Sequence, residues 1–107
     1  MAGVVVTDNP ERSRYEAAID GQVAGFAEYT LAGKRIVFTH TEVDEAFEGE
    51  GVGSQLARQA LDDVRDNRQL EVVPICPFIA GWIKRHPEYA AIVTEALRKQ
   101  FEQEPTG

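Results

Sequence analysis

The sequence predicts a compact α/β (α+β) domain, and a change of pattern near the middle of the chain supports this. Three extended runs come first (12–20, 22–33 and 34–43), rich in alternating, β-branched and aromatic residues. Helical spacing of apolar residues then begins near Gly51. A length of 107 residues suits one domain, 1–107, with a modest core.

The three extended runs are expected to form an antiparallel meander. Asp20-Gly21 between the first two runs is a strong hairpin signal, and Ala32-Gly33 predicts a second tight turn. Residues 1–12 precede this pattern and are expected to form a loose arm.

The second half of the chain predicts one parallel strand and three helices. The first helix covers 51–68, and the short apolar run 69–76 should pair parallel to the third strand after a right-handed crossover. Pro77 suits the first turn of a helix over 77–86, and 87–101 predicts a further helix. The fold therefore ends with two C-terminal helices, and 102–107 should be a frayed tail.

Composition limits the classes of function. There are 18 acidic and 11 basic residues, and the net charge of −7 argues against nucleic acid as the main partner. The N-terminus lacks a signal-peptide pattern and no apolar run is long enough to cross a membrane, so no membrane partner and a cytoplasmic location are expected. The single cysteine, Cys76, excludes an intramolecular disulfide. No metal is implied.

The stretch "FEGEGVGSQL" carries glycines at 49, 51 and 53, where a strand gives way to a helix. The first N–H groups of a helix have no internal partner and favour an anion, and glycines let a phosphate approach closely. A Walker loop would need Lys after Gly53, and a Rossmann site would need a different glycine spacing. An ordinary tight loop is the structural alternative.

This order of elements resembles the core of the GNAT superfamily of N-acetyltransferases, which use acetyl-CoA. Their pyrophosphate loop reads Gln/Arg-x-x-Gly-x-Gly/Ala, and the run Glu48 to Gly53 matches it at both later positions. The stretches "FTHTEVDEAFEGEGVGSQLARQALDDVR" and "VVPICPFIAGWIKRHPEY" are similar to the minimal single-domain branch of that superfamily. The likeness covers roughly 13–95.

The chain departs from the larger GNAT enzymes in three ways. Glu48 replaces the usual Gln or Arg, and we expect it and its acidic neighbours to point to water. Asp20-Gly21 leaves no room for the helices that help to form the acceptor site. At the position of the tyrosine that protonates the CoA thiolate, this sequence has Ile83, and Tyr89 lies a turn or more beyond.

Cys76 is the first candidate for chemistry. It ends the parallel strand just before a helix, where open α/β sheets bind ligands. The resemblance implies that it lies beside the reactive end of CoA, as nucleophile, as acid for the thiolate or as a wall of the acetyl pocket. Plain packing of a small buried residue is the alternative.

Two residues on the third strand are candidates for the general base. His40 and Glu42 lie two apart, so their side chains share a face that could look into the cleft. Glu42 is favoured over His40. The structural alternative for both is an ordinary surface residue, with His40 in a hydrogen bond at the strand end and Glu42 solvated.

The resemblance also implies how CoA would lie on the chain. Pantetheine would form hydrogen bonds with the backbone from Thr41 to Val43, and the pyrophosphate would contact the backbone amides of 49–54. Lys84 and Arg85 would contact a phosphate of CoA, and ordinary surface charge is the alternative for both. The implied CoA-contacting residues are Thr41, Val43, Gly49, Glu50, Gly51, Val52, Gly53, Ser54, Pro77, Phe78, Lys84 and Arg85.

The resemblance therefore implies acetyl transfer from acetyl-CoA to an amine at a solvent-open site, with lysine on a basic peptide or protein among the acceptors. The alternative is a module that binds CoA, acyl-CoA or a protein partner without catalysis, which the missing tyrosine and the short acceptor region favour. Turnover with an amine discriminates between the two.

Overall fold

A computed structural model describes residues 3–101 and contains one mixed sheet of five strands. The strands lie side by side in chain order: β1 (Val5–Asn9), β2 (Arg14–Ile19), β3 (Gln22–Ala32), β4 (Arg35–Val43) and β5 (Glu71–Pro74). The first four pair antiparallel, and β5 pairs parallel to β4. The predicted α/β class and the parallel crossover are confirmed.

The prediction of a loose arm over 1–12 is wrong for β1. Its backbone pairs with β2 from Val5 opposite Ala18 to Asn9 opposite Arg14, so the antiparallel part has four strands and not three. The Val6 amide also donates to Gln59 Oε1 on the first helix at 3.3 Å. A run of valines has the β-branched character of a strand, and this short edge strand gains its stability from β2 and that helix. The predictions for residues 1–2 and for the tail 102–107 lie outside the described residues.

The turn between β2 and β3 follows the sequence signal. Asp20 and Gly21 have φ angles of 51° and 79°, both in the left-handed region. Positive φ at both central residues is the geometry of a type I′ turn, whose twist matches that of the flanking strands. The Asp-Gly pair therefore sets the pairing of β2 with β3.

The first two helices follow the predicted order. Helix α1 (Val52–Asp63) continues as one wider π turn, Val64–Arg68, and Gln69 ends it with a φ of 54°. Helix α2 (Pro77–Arg85) begins with proline in its first turn, as predicted.

The helix predicted over 87–101 is broken, and this is a correction. A 3₁₀ turn (Pro87–Ile92) is followed by an isolated parallel bridge between Val93 and Val72, and only then by the short helix α3 (Glu95–Arg98). The Thr94 amide donates to Val72 O at 2.9 Å. The β-branched run from Ile92 to Thr94 favours this extended pairing over a continuous helix.

Both longer helices pack on one face of the sheet. Helix α1 lies across β1 to β4, and α2 lies against β4, β5 and α1. The indole Nε1 of Trp82 on α2 donates to Ser54 Oγ on α1 at 3.2 Å. The side chains on the other face, such as Arg14, Phe26 and Val37, are only partly buried. The sheet thus has a helix-covered face and an open face.

A polar network joins the sheet to the C-terminal end of α1. Tyr15 donates to Asp63 at 2.6 Å, Tyr29 contacts Asp8 at 2.5 Å, and the Arg68 guanidinium contacts both Asp8 and the Tyr15 hydroxyl. Burial, reinforced by the hydrogen bond to Asp63, raises the pKa of Tyr15 well above its ordinary range. These groups are paired with each other, which indicates a structural role.

Candidate active site

The candidate site is the gap that opens where β4 and β5 separate. Their pairing runs from Arg35 opposite Glu71 to Phe38 opposite Pro74, and the Cys76 amide makes a last link to Phe38 O at 2.8 Å. Strand β4 continues to Val43, bonded on its other side to β3. Within residues 3–101, the edge of β4 beyond Phe38 that faces the gap has no strand partner. It can therefore bond an extended ligand, as predicted for Thr41 to Val43.

A β-bulge at Thr39 sets the direction of the side chains beyond it. Glu28 pairs with His40 and Tyr29 pairs with Phe38, so Thr39 has no partner of its own in β3. An extra residue of this kind shifts the alternation by one. Phe38 and Thr41, three apart, therefore both point to the helix-covered face.

Thr41 and Cys76 meet in this gap. The Cys76 thiol lies 3.2 Å from Thr41 Oγ1, and Cys76 is only 2% exposed. Cys76 is also the residue immediately before the first turn of α2. The predicted position just before α2 is confirmed, but β5 ends at Pro74 and not at Cys76. The chemical role of Cys76 stays a prediction.

His40 and Glu42 share a face, as the alternation predicts. His40 Nε2 lies 3.2 Å from Glu42 Oε1, and both side chains are more than half exposed. They point to the open face, whereas Thr41 between them points to Cys76. The shared face that could look into the cleft is therefore the open face of the sheet and not the face that carries Cys76, and the bulge is the reason. Either residue can serve as base only for an acceptor that approaches from the open face.

The glycine loop enters α1 with free amides. Gly49 and Gly51 have φ angles of 85° and 74°, and Gly51 is the N-cap of α1 without a side-chain cap. The first α-helical bond of this helix runs from the Gln55 amide to Gly51 O at 3.1 Å. The amides of Val52, Gly53 and Ser54 come before it, so they are available to an anion.

One predicted amide of the loop is already used. The Glu50 amide donates to Phe47 O at 3.3 Å, so it is not available to a phosphate in this conformation. The Asp44 carboxylate accepts from the Ala46 amide at 2.9 Å and so orders the approach to the loop. The side chains of Glu48 and Glu50 are exposed, as expected.

Gly53 is favoured by packing and not by its φ angle. A Cβ at this position would lie 2.7 Å from Cζ of Phe78. Phe78 follows Cys76 by two residues and is 38% exposed, and Pro77 before it is exposed as well. The Phe78 ring therefore connects the glycine loop to the strand gap and offers an apolar surface between them.

The two basic residues at the end of α2 point to different places. Lys84 Nζ lies 5.8 Å from the ring centre of Phe101, on the C-terminal side. Arg85 Nη1 lies beside Gly81, 3.6 Å from where a Cβ of that glycine would be, and so extends back along α2. Neither contact involves the glycine loop, so the phosphate role of both residues stays a prediction.

Arg58 is a basic residue near the loop that the sequence did not single out. Its guanidinium lies 5.3 Å from the ring centre of Trp82, which bonds Ser54. The available signal was its spacing, because Arg58 follows Ser54 by one helical turn.

A cavity of about 200 Å³ lies beside Glu42 at the end of the meander. Its lining consists of Arg14, Val23, Ala24, Gly25, Phe26, Glu42, Val43 and Asp44. Most of these residues were assigned only to strands from the sequence. The cavity is built by pairing across β2, β3 and β4, which spacing within one strand does not reveal.

Tyr89 lies away from the strand gap. Its hydroxyl contacts Asp62 on α1 at 2.5 Å, and its ring packs edge-on against Trp82. Ile83 is fully buried. Neither residue offers an acid to a ligand in the gap.

No group of three or more His, Cys, Asp or Glu side chains in residues 3–101 is arranged to hold a metal ion. In the same residues, none of the helices has the length and apolar character needed to span a membrane.

Comparison with known families relates this chain to the GCN5-related N-acetyltransferases. The family model described as GCN5-related N-acetyl-transferase matches residues 14–92, most of the chain. The chain therefore belongs to the GCN5-related N-acetyltransferase family, as the resemblance implied.

Individual relatives match the chain over a shorter stretch or at low sequence identity. The chain is 40% identical over 60 residues to Protein NATD1 from Gallus gallus, Mus musculus and Homo sapiens, across 55% of this chain. It spans about half the length of these curated relatives, 54% for the chicken and mouse proteins and 52% for the human one. The solution structure of a GCN5-like protein from Staphylococcus aureus superposes with a TM-score of 0.64 at 17% identity, over 98% of this chain and 95% of that one. The latter likeness supports the fold alone.

Proposed function

We propose that this protein transfers an acetyl group from acetyl-CoA to a primary amine. The observation that carries the proposal is the combination, within residues 3–101, of an unpaired edge of β4 beyond Phe38 with free amides at the start of α1. Extended backbone and unpaired amides are the two kinds of group that a pantetheine arm and a pyrophosphate need.

In this proposal the coenzyme lies along the gap with its phosphates on α1. The amides of Val52, Gly53 and Ser54 receive the pyrophosphate, and the backbone of Thr41 to Val43 bonds the pantetheine. The guanidinium groups of Arg58 and Arg85 add charge for a phosphate. The acidic side chains of the loop are exposed, which limits their repulsion of the phosphates.

The thioester would then lie beside Cys76 and Thr41. The thiol and hydroxyl lie 3.2 Å apart, so both can contact the reacting end of the coenzyme. An amine that enters from the open face would meet Glu42 or His40, which can accept its proton before it attacks the thioester carbonyl. A backbone N–H of the gap would hold the developing oxyanion. In this direct route Cys76 protonates the departing CoA thiolate or only walls the pocket. In the alternative route the Cys76 thiolate attacks the thioester first, CoA leaves, and the amine then takes the acetyl group from Cys76.

Transfer to cationic amines is favoured by the charge around the gap. Asp44, Glu45, Glu48 and Glu50 are exposed beside it, and the chain carries a net charge of −7. Lysine side chains on basic peptides, and polyamines, are therefore the first acceptors to test.

The direct test is turnover of acetyl-CoA. Release of free CoA thiol in the presence of a lysine peptide, with the acetylated product identified by mass spectrometry, would support transfer. Native mass spectrometry of the purified protein tests CoA binding separately. Binding without transfer to any amine would favour the second candidate, a non-catalytic CoA-binding module. The engagement of the Tyr89 hydroxyl by Asp62 favours that candidate.

A further inference from the structure

The cavity beside Glu42 is bipolar. The Arg14 guanidinium lies at one side, 4.2 Å above the ring centre of Phe26, while the carboxylates of Glu42 and Asp44 lie at the other. Val23 and the Phe26 ring supply apolar surface between them. A cavity of about 200 Å³ with these groups is large enough for a small organic molecule with two charged ends.

Arg14 keeps part of its hydrogen-bonding capacity free for a ligand. Its Nε donates to Glu16 Oε2 at 2.8 Å, and among residues 3–101 this is the only side-chain partner of the guanidinium. The side chain is 17% exposed, and Glu16 and Phe26 hold it in one place. An arginine held along one edge can receive a second carboxylate at its terminal amino groups.

Arg14 and Glu42 face the same cavity without forming an ion pair. Within the described chain, Glu42 pairs with His40 and Arg14 pairs with Glu16. Phe26 separates them, because it lies opposite Glu16 on β2 and opposite Glu42 on β4. Strands β2 and β4 are thus two strand spacings apart, roughly 10 Å at the backbone. The guanidinium reaches from β2 over Phe26 toward Glu42 without pairing with it, so one molecule with two opposite charges can contact both groups.

We propose that this cavity is the acceptor subsite and that it selects an amine carrying a carboxylate, with the spacing of a lysine ε-amine and its own α-carboxylate. The assignment rests on the proposed function, since the acceptor must reach the thioester past Glu42. The ammonium lies between Glu42 and Asp44, the aliphatic stem lies along Val23, and the carboxylate lies on the Arg14 guanidinium above Phe26. A free lysine or a chain that ends in lysine has this form.

The test compares two acceptors that differ only in this charge: Nα-acetyl-lysine and Nα-acetyl-lysine amide. Each has one amine, the ε-amine. A charge-assisted hydrogen bond predicts that kcat/KM for the carboxylate form exceeds that for the amide by about tenfold. In Arg14→Gln the ratio of the two kcat/KM values should fall to about one. Arg14→Lys retains the positive charge and should keep part of the preference for the carboxylate form.

Arg35→Gln is the matched control. Arg35 is also a strand arginine whose Nε faces a carboxylate, that of Glu71 at 3.5 Å, but it lies at the far end of β4 from the cavity. The ratio should stay at its wild-type value in this variant. Thermal melts of all variants separate misfolding from altered selectivity.

The outcomes distinguish failure of the proposed subsite from failure of the proposed function. Equal kcat/KM for the two compounds in the wild type, or an unchanged ratio in Arg14→Gln, overturns the subsite while acetyl transfer stands. If no amine is acetylated, the proposed function fails. NMR titration of the CoA-loaded protein with both compounds then decides the subsite, where tighter binding of the carboxylate form with shifts at Phe26 and Glu42 supports it. Equal binding or no shift at these residues overturns it.

Discussion

Gly51→Val is the substitution that tests the anion site most directly. Gly51 has a φ of 74°, and a Cβ built on it meets no atom within 4 Å. The cost of the new residue is therefore backbone strain, about 1–2 kcal/mol for an L-residue in this region. A domain stable by about 5–15 kcal/mol should still fold. The valine would stand at the N-cap, in front of the amides of α1.

The expected result is a weaker affinity for CoA in a folded protein. One charged hydrogen bond is worth about 1.5–3 kcal/mol, so losing phosphate contact with one amide predicts a Kd at least about tenfold higher. Isothermal titration with CoA measures this change. The strain itself should lower Tm by about 4–8 °C for each kcal/mol.

Gly33→Val is the matched control for strain. Gly33 has a φ of 62° and equally open surroundings, but it lies in the turn between β3 and β4, at the far end of β4 from the loop. Its Tm should fall by a similar amount while its affinity for CoA stays at the wild-type value. Wild-type affinity in Gly51→Val, or the same loss in both variants, would refute the anion site.

Three further predictions concern chemistry, stability and steering. If Cys76 takes part in the reaction, Cys76→Ala should lose most turnover and keep its CoA affinity, and normal turnover would leave the thiol a packing role. Burial and Asp63 raise the pKa of Tyr15 above its ordinary value of 10.0, so the unfolded chain loses this proton first. Stability should then fall as the pH rises above about 10, and Tyr15→Phe should reduce that slope in urea melts, whereas an unchanged slope would contradict the assignment. Because exposed charges are screened beyond about 8 Å at physiological salt, kcat/KM toward a lysine-rich peptide should fall with added salt more steeply than toward a neutral amine. An equal salt dependence would show that the acidic loop does not steer the acceptor.

The predicted order of elements came from signals that are local in the chain. Asp20-Gly21 specifies its turn because both residues adopt positive φ, and Pro77 starts α2 for the same kind of local reason. Local signals failed where long-range pairing decides. Strand β1 depends on β2, and the Val93 bridge to Val72 interrupts a stretch whose apolar spacing alone favours a helix.

The candidate site shows the same difference between features set by local sequence and features set by long-range pairing. The Gly51 and Gly53 positions were predicted together from one motif, yet the structure gives them different causes, a left-handed φ for one and contact with Phe78 for the other. The cavity lining was not predicted, because Arg14, Phe26 and Glu42 belong to three different strands. Residues of this kind become neighbours only through register, and no spacing within one strand encodes it.

The bulge at Thr39 is the feature on which the proposed chemistry most depends. With regular alternation, Thr41 would share the face of Thr39, and His40 would share the buried face of Phe38. The extra residue reverses this order, so that Thr41 contacts Cys76 while His40 and Glu42 pair on the open face. One residue thus places Thr41 and Cys76 on one side of β4 and the candidate bases on the other. Under the proposed function, an amine that meets Glu42 would have to cross the strand gap to react, so the two substrates would approach from opposite faces of the sheet and meet at the gap.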